Sequence, residues 1–172
     1  MRIIQRQTLT YDAQEDRLRL ASRFEDGEEQ VFWLTRRLAD RLVGALCQAL
    51  EAGTDGDTPE HREALLAWEQ EAAQAALEVV PPVTAGEAEM PSALVHTIDF
   101  VPHANGQQLV FKAQGCEEAG FALDGAALRQ WLHILHQAYR QGGWDGSDLW
   151  PDWMSAPEPA PDLSVPAGTV WH

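Results

Sequence analysis

Residues 16–24 alternate. Leu18, Leu20, Ser22 and Phe24 fall on one side, and Arg17, Arg19, Ala21 and Arg23 on the other. A period of two marks a strand with one buried face. A weaker alternation over residues 3–11 predicts a strand before it. The turn Glu25-Asp26-Gly27-Glu28 leads into a third strand at 30–34, Gln-Val-Phe-Trp-Leu, which is apolar on both faces. The period then lengthens. Leu38, Leu42, Ala45, Leu46 and Ala49 recur at helical spacing behind Thr35, a good N-cap, and Gly53 and Gly56 end the run. A second helix is predicted over 58–79. Thr58 caps it, Pro59 takes its first position, and its stripe of Leu65, Trp68, Ala72, Ala75 and Ala76 is mostly small. Prolines and Gly86 make residues 80–92 a linker.

The plan then recurs. Strands are predicted at 94–101, 108–113 and 120–123. Asp124 caps a helix whose stripe is Ala127, Leu128, Trp131, Leu132, Leu135 and Tyr139, and Gly142-Gly143 stops it. Sliding the sequence along itself by 89 positions lays residues 3–50 on 92–139. Thr8 then meets Thr97, Leu9 meets Ile98, Tyr11 meets Phe100, Leu20 meets Leu109, Phe32 meets Phe121 and Leu46 meets Leu135. Self-similarity at a fixed offset sets the fold reading. The expected class is α+β: a tandem β-β-β-α repeat forming a pseudo-twofold body with antiparallel sheets and a connecting helix. Residues 1–53 and 92–143 are the two modules. Residues 54–91 are the connecting helix with its Pro-rich linker, and 144–172 are an acidic tail rich in Trp and Pro. A three-stranded sheet with one helix covers only one of its faces. The modules are therefore expected to pack sheet to sheet or to join edges.

Composition narrows the function classes. The apolar runs are too short to span a bilayer, and the first residues lack the apolar stretch of a secretory signal, so a cytoplasmic protein is expected. Cys47 and Cys116 do not correspond across the repeat, which argues against a disulfide framework. The net charge of −15 disfavours nucleic acid and anionic membranes through long-range repulsion. That charge is uneven. Arg2, Arg6, Arg17, Arg19, Arg23, Arg36, Arg37 and Arg41 balance the acids of residues 1–41, and the excess lies beyond.

Candidate chemistry is sparse. Arg17, Arg19 and Arg23 share a strand face that suits phosphates or an acidic partner, or else a solvated face paired with nearby carboxylates. Arg36 and Arg37 stand in the first turn of a helix, against its dipole. Pairing with Glu28 and Glu29 is the expected reason, ahead of an anion bound at the helix start. Trp150, Trp153 and Trp171 lie among prolines and acids, a setting in which an indole can anchor a partner or close the protein's own core. His133 and His136, three apart on a helix, form with His96 or His103 only a weak metal pattern. Asp55-Gly56-Asp57 lacks the rest of a calcium loop. No serine sits in a nucleophile elbow, and Cys47 has no adjacent base. No cofactor or metal is expected. The reading is a non-enzymatic protein-binding or adaptor protein with an unidentified protein partner. One alternative is a single-stranded nucleic-acid-binding module using the Arg face; another is an enzyme with a cleft between the modules.

Overall fold

The computed structural model describes residues 1–83, 90–146 and 148–154. The strands are β1 (Arg2–Asp12), β2 (Arg17–Phe24), β3 (Glu29–Leu34), β4 (Ser92–His103), β5 (Gly106–Ala113) and β6 (Ala119–Asp124). The helices are α1 (Arg36–Ala52), α2 (Pro59–Ala75) and α3 (Gly125–Gln141), and a short 3-10 turn spans Asp152–Met154. The caps read from the sequence are made. Thr35 Oγ1 accepts from Leu38 N at 3.3 Å, Thr58 Oγ1 from His61 N at 3.1 Å and Asp124 Oδ1 from Ala127 N at 2.8 Å.

The strands close into a barrel in the order β1-β2-β3-β4-β5-β6. Each set of three is antiparallel within itself, but the two seams between the sets are parallel. Val31, Phe32 and Trp33 face Ser92, Ala93 and Leu94 along one seam, and Arg2 and Ile3 face Ala119 and Gly120 along the other. The exposed sheet edges are thus joined twice, giving a mixed α+β fold with a closed six-stranded barrel and three helices. The sequence reading left edge-to-edge and face-to-face packing open and did not contain the closure. Gly120 lets β5 lie close against β6, because a Cβ there would lie 2.2 Å from the Leu109 carbonyl oxygen of β5.

β1 and β2 are joined by residues 13–16, between the paired Asp12 and Arg17, whereas only Ala104 and Asn105 lie between the paired His103 and Gly106. Leu9 faces Leu20, and Phe100 faces Leu109. The register shifts between Ile4 and Arg6 in β1 and between Val95 and Thr97 in β4.

The core runs from the barrel into the helices. Leu18, Leu20, Phe32, Leu34, Leu109 and Phe111 are fully buried, each stabilising the fold by roughly 1.5–3 kcal/mol. An aromatic series links Phe24 to Phe32 (6.5 Å between ring centres), Phe32 to Phe111 (6.0 Å), Phe111 to Phe121 (5.8 Å) and Phe121 to Trp131 of α3 (5.7 Å). On the other side of β1 and β2, the chain leaving α2 lies over the sheet. Thr8 Oγ1 accepts from Val83 N at 2.8 Å, Arg6 donates to the Pro81 carbonyl, and Val83 is buried with Ala21 and Val31.

Cys47 is buried on α1, where desolvation and the charge of Glu51 push its thiol up to about 12. Cys116, half-buried in the β5–β6 turn, receives a hydrogen bond from Gln30 Nε2. Thiol labelling of the folded protein near pH ~8 is expected to modify Cys116 and spare Cys47 until urea unfolds the chain. Rapid native labelling of Cys47 would mean that α1 does not stay closed on the core.

Candidate functional site

α1 ends where Gly53 N donates to the Ala49 carbonyl and Thr54 Oγ1 donates to the Leu50 carbonyl, at 3.1 and 2.9 Å. The chain turns at Gly56, packed so closely that a Cβ there would sit 2.8 Å from Arg62 N, and α2 then runs back across α3. Hydrogen bonds hold that crossing: Gln70 Nε2 to the Arg129 carbonyl at 3.1 Å and Gln130 Nε2 to the Ala73 carbonyl at 3.2 Å. Past Gln70, the side chains that α2 places along this junction are the small Ala72, Ala73 and Ala76. Between the end of α1, the alanine face of α2 and the start of α3 they leave a cleft of about 580 Å³. Ala49, Leu50 and Gly53 form one wall, Trp68, Ala72, Ala73 and Ala76 a second, and Gly125, Ala126 and Leu128 a third, with Gly106 and Gln107 of β5 at the base. Trp68 stands at the rim with 67% of its surface exposed, an unusual position for an indole.

Arg129 is the one charged group sunk in these walls, with 7% of its surface exposed. It forms an ion pair with Glu69 and donates to the Leu66 carbonyl at 3.4 Å. Burial weakens the guanidinium's hold on its proton and Glu69 acts the other way; the group stays cationic across ordinary pH. Arg129, Glu69, Gln130, Thr54 and Asp124 all bond within the chain. The cleft thus offers mainly apolar surface with fixed polar groups around it.

The opposite end of the α1–α3 pair is filled. Trp144, directly after α3, is buried edge-on against Tyr11 (5.2 Å) and Tyr139 (5.5 Å), and the Arg36 guanidinium lies 5.6 Å from its ring centre. The Tyr139 hydroxyl donates to Asp40 at 2.7 Å, and burial together with that bond raises the phenol's pKa. Trp150 packs on Tyr139 and on the His136 ring at 5.2 and 4.4 Å. Trp153 is buried with its Nε1 donating to Glu51 at 3.2 Å. Both indoles considered as partner anchors therefore close the chain's own core; Trp171 lies outside the described residues.

His136 under Trp150 has its pKa lowered, first by burial and then by Arg140; Asp145 pulls the other way, and His133 adds a smaller lowering. Burial lowers His133 as well. The unfolded chain therefore takes up protons more readily. The contribution of these histidines is full above the unfolded value of about 6.5 and is lost as pH falls below it. The urea midpoint is expected to drop between about pH 7 and pH 5, and His136→Gln to flatten that drop; an equal drop in the variant would remove His136 as its source.

The arginines separate. Arg17 pairs with Glu15 at 3.4 Å and Arg23 with Glu29 at 2.6 Å, while Arg19 is half-buried between Thr10 and Trp33 in the strand register. Arg36 and Arg37 are exposed, and neither takes the expected carboxylates. Glu28 holds Arg2 at 2.8 Å, Glu29 holds Arg23, and Arg36 turns to Trp144 instead. Arg2 and Arg23 win because the β1–β2 pairing and the β2–β3 turn put them beside those acids before the helix begins. The sequence reading missed the cleft and Arg129. The one visible signal is the smallness of the α2 stripe.

Among the described residues no group of three or more His, Cys, Asp or Glu gathers at metal-binding distance, and no helix is long and apolar enough to cross a membrane. Comparison with family models, with curated proteins and with solved structures finds no match for this chain.

Proposed function

We propose that the chain is a non-enzymatic protein-binding protein that takes an apolar side chain of a partner polypeptide into the cleft between α1, α2 and α3. The observation that carries this reading is the cleft's lining: alanines, glycines and Leu50 on the walls, polar groups that, Gln107 apart, are engaged within the chain, and the exposed Trp68 at the rim. A surface of that kind binds by shape and apolar area, and an exposed indole beside a pocket is the usual make-up of an energetic centre in protein recognition. Catalysis would need a free nucleophile or proton carrier directed into the space, and Glu69 and Asp124 are occupied by Arg129 and by the α3 backbone. The nucleic-acid alternative draws little from a face on which Arg17 and Arg23 already hold carboxylates.

The same reading treats the body as a tandem β-β-β-α repeat with pseudo-twofold symmetry. The repeated element order, the matching β2–β3 and β5–β6 registers, the paired bulges and the two parallel seams support it. On this view the cleft lies between the modules, at one of two related ends of the helix pair.

Selection of a random peptide display library on the full chain is expected to enrich peptides that Ala72→Phe no longer binds. Ala72 is exposed on α2, so the added ring enters the cleft mouth without disturbing the core. A loss of at least about tenfold in affinity, roughly 1.4 kcal/mol, is expected with an unchanged unfolding midpoint. Failure to enrich any peptide, or enrichment indifferent to Ala72→Phe, would reject the cleft as a protein-binding site.

A further inference from the structure

The two ends of the helix pair differ in what fills them, and the difference identifies what the cleft accepts. At the filled end Trp144 lies against Tyr139 and beneath Arg36. At the 89-residue spacing that relates α1 to α3, Trp144 corresponds to Asp55, Tyr139 to Leu50 and Arg36 to Gly125. Leu50 and Gly125 line the cleft, and Asp55 follows Thr54 of its wall. The second end therefore lacks the indole, one aromatic wall and the cation, and about 580 Å³ stands open there. Asp40, which anchors the Tyr139 hydroxyl at the filled end, corresponds to Arg129, which is held by Glu69.

Resting on the protein-binding reading above, we infer that the cleft receives an aromatic side chain, best an indole, from a partner segment that carries lysine or arginine beside it. The space corresponds to one that an indole fills elsewhere in the same molecule. The charge requirement follows from the surroundings. Asp124 and Asp55 are exposed next to the cleft, Asp57 follows, and the whole chain carries a net charge of −15. An acidic segment is repelled from this mouth and a basic one drawn to it. The cation that Arg36 supplies over Trp144 has no counterpart at Gly125, so the partner's own basic residue takes that place over its ring.

The probes are capped seven-residue peptides with a central residue flanked by two lysines or two glutamates, titrated against the full chain and followed by amide chemical shifts. The Trp peptide flanked by Lys is expected to shift resonances of residues 72–76 and 125–130. It should bind at least tenfold tighter than its Ala counterpart and than the Trp peptide flanked by Glu, and Ala72→Phe should abolish the effect. Equal binding of a Leu peptide flanked by Lys would overturn the aromatic preference while leaving protein binding in place. Equal binding of the two Trp peptides would overturn the charge requirement. Absence of cleft shifts with every peptide would reject the site altogether. Binding seen only in the Trp171→Ala chain would show that the chain's own terminus takes the seat, and a monomer–dimer equilibrium abolished by Ala72→Phe would give it to a second copy. Either result would overturn the inferred partner.

Discussion

Phe111→Ala is expected to destabilise the protein by about 3–5 kcal/mol, read as a shift of the urea midpoint at unchanged slope. Phe111 is fully buried and stacked between Phe32 and Phe121 at 6.0 and 5.8 Å, with ring planes inclined by 21° and 29°. It belongs to β5, while Phe32 belongs to β3 and Phe121 to β6, so one ring joins strands from both halves of the barrel. The closed barrel wall collapses poorly into the hole left behind, which places the cost in the upper part of the usual range. Phe111→Leu keeps much of the volume and is expected to lose less than half as much. A loss below about 1 kcal/mol for Phe111→Ala would mean that the barrel interior is not packed around this ring.

Trp144→Ala is expected to cost a similar ~3–5 kcal/mol, with a second consequence that a simple core deletion lacks. The indole touches Tyr11 and Tyr139 and carries the Arg36 guanidinium, so its removal opens a space walled by two aromatic rings beneath a cation. Free indole is expected to enter that space and recover part of the lost stability. The recovery should grow with the logarithm of indole concentration above its dissociation constant and be absent from the unsubstituted protein at that end. Arg36→Ala in the same background should weaken the rescue, since the cation above the ring contributes roughly 0.5–1 kcal/mol at such a partly exposed site. Loss of stability without rescue by indole would show that the cavity collapses. Little loss would show that Trp144 is not holding the end of α3 against β1.

Much of the local structure was legible because it is written in short-range periods. The alternation of Leu18, Leu20 and Phe24 gave β2, and the spacing of Leu42, Leu46 and Ala49 gave α1. The hydroxyl and carboxylate caps at Thr35, Thr58 and Asp124 gave the helix starts to within a residue. Barrel closure was not legible, because a seam of two or three residue pairs leaves no periodic trace. The register of β1 was not legible for a related reason: the length of the turn at 13–16 decides which residues face each other, and no periodic pattern records it. The cleft stayed hidden because alanines on α2 read equally as tight packing or as room for a ligand, and only the path of the helix distinguishes them. Arg36 was misassigned because a helix-start cation was matched to acids of the preceding turn, when its partner, Trp144, is distant in sequence.

Closure of the barrel limits how another polypeptide can be held. Each described strand has a neighbour on each side, but the seams pair only Arg2 and Ile3 of β1 and Ser92, Ala93 and Leu94 of β4, so an incoming segment could extend a ladder of main-chain hydrogen bonds only along the stretches of the seam strands beyond those pairs. Main-chain recognition is tolerant of sequence, so in the proposed binding role its restriction shifts selectivity onto side chains. The same closure shortens the open ladder that would otherwise template self-association of the kind that ends in fibrils.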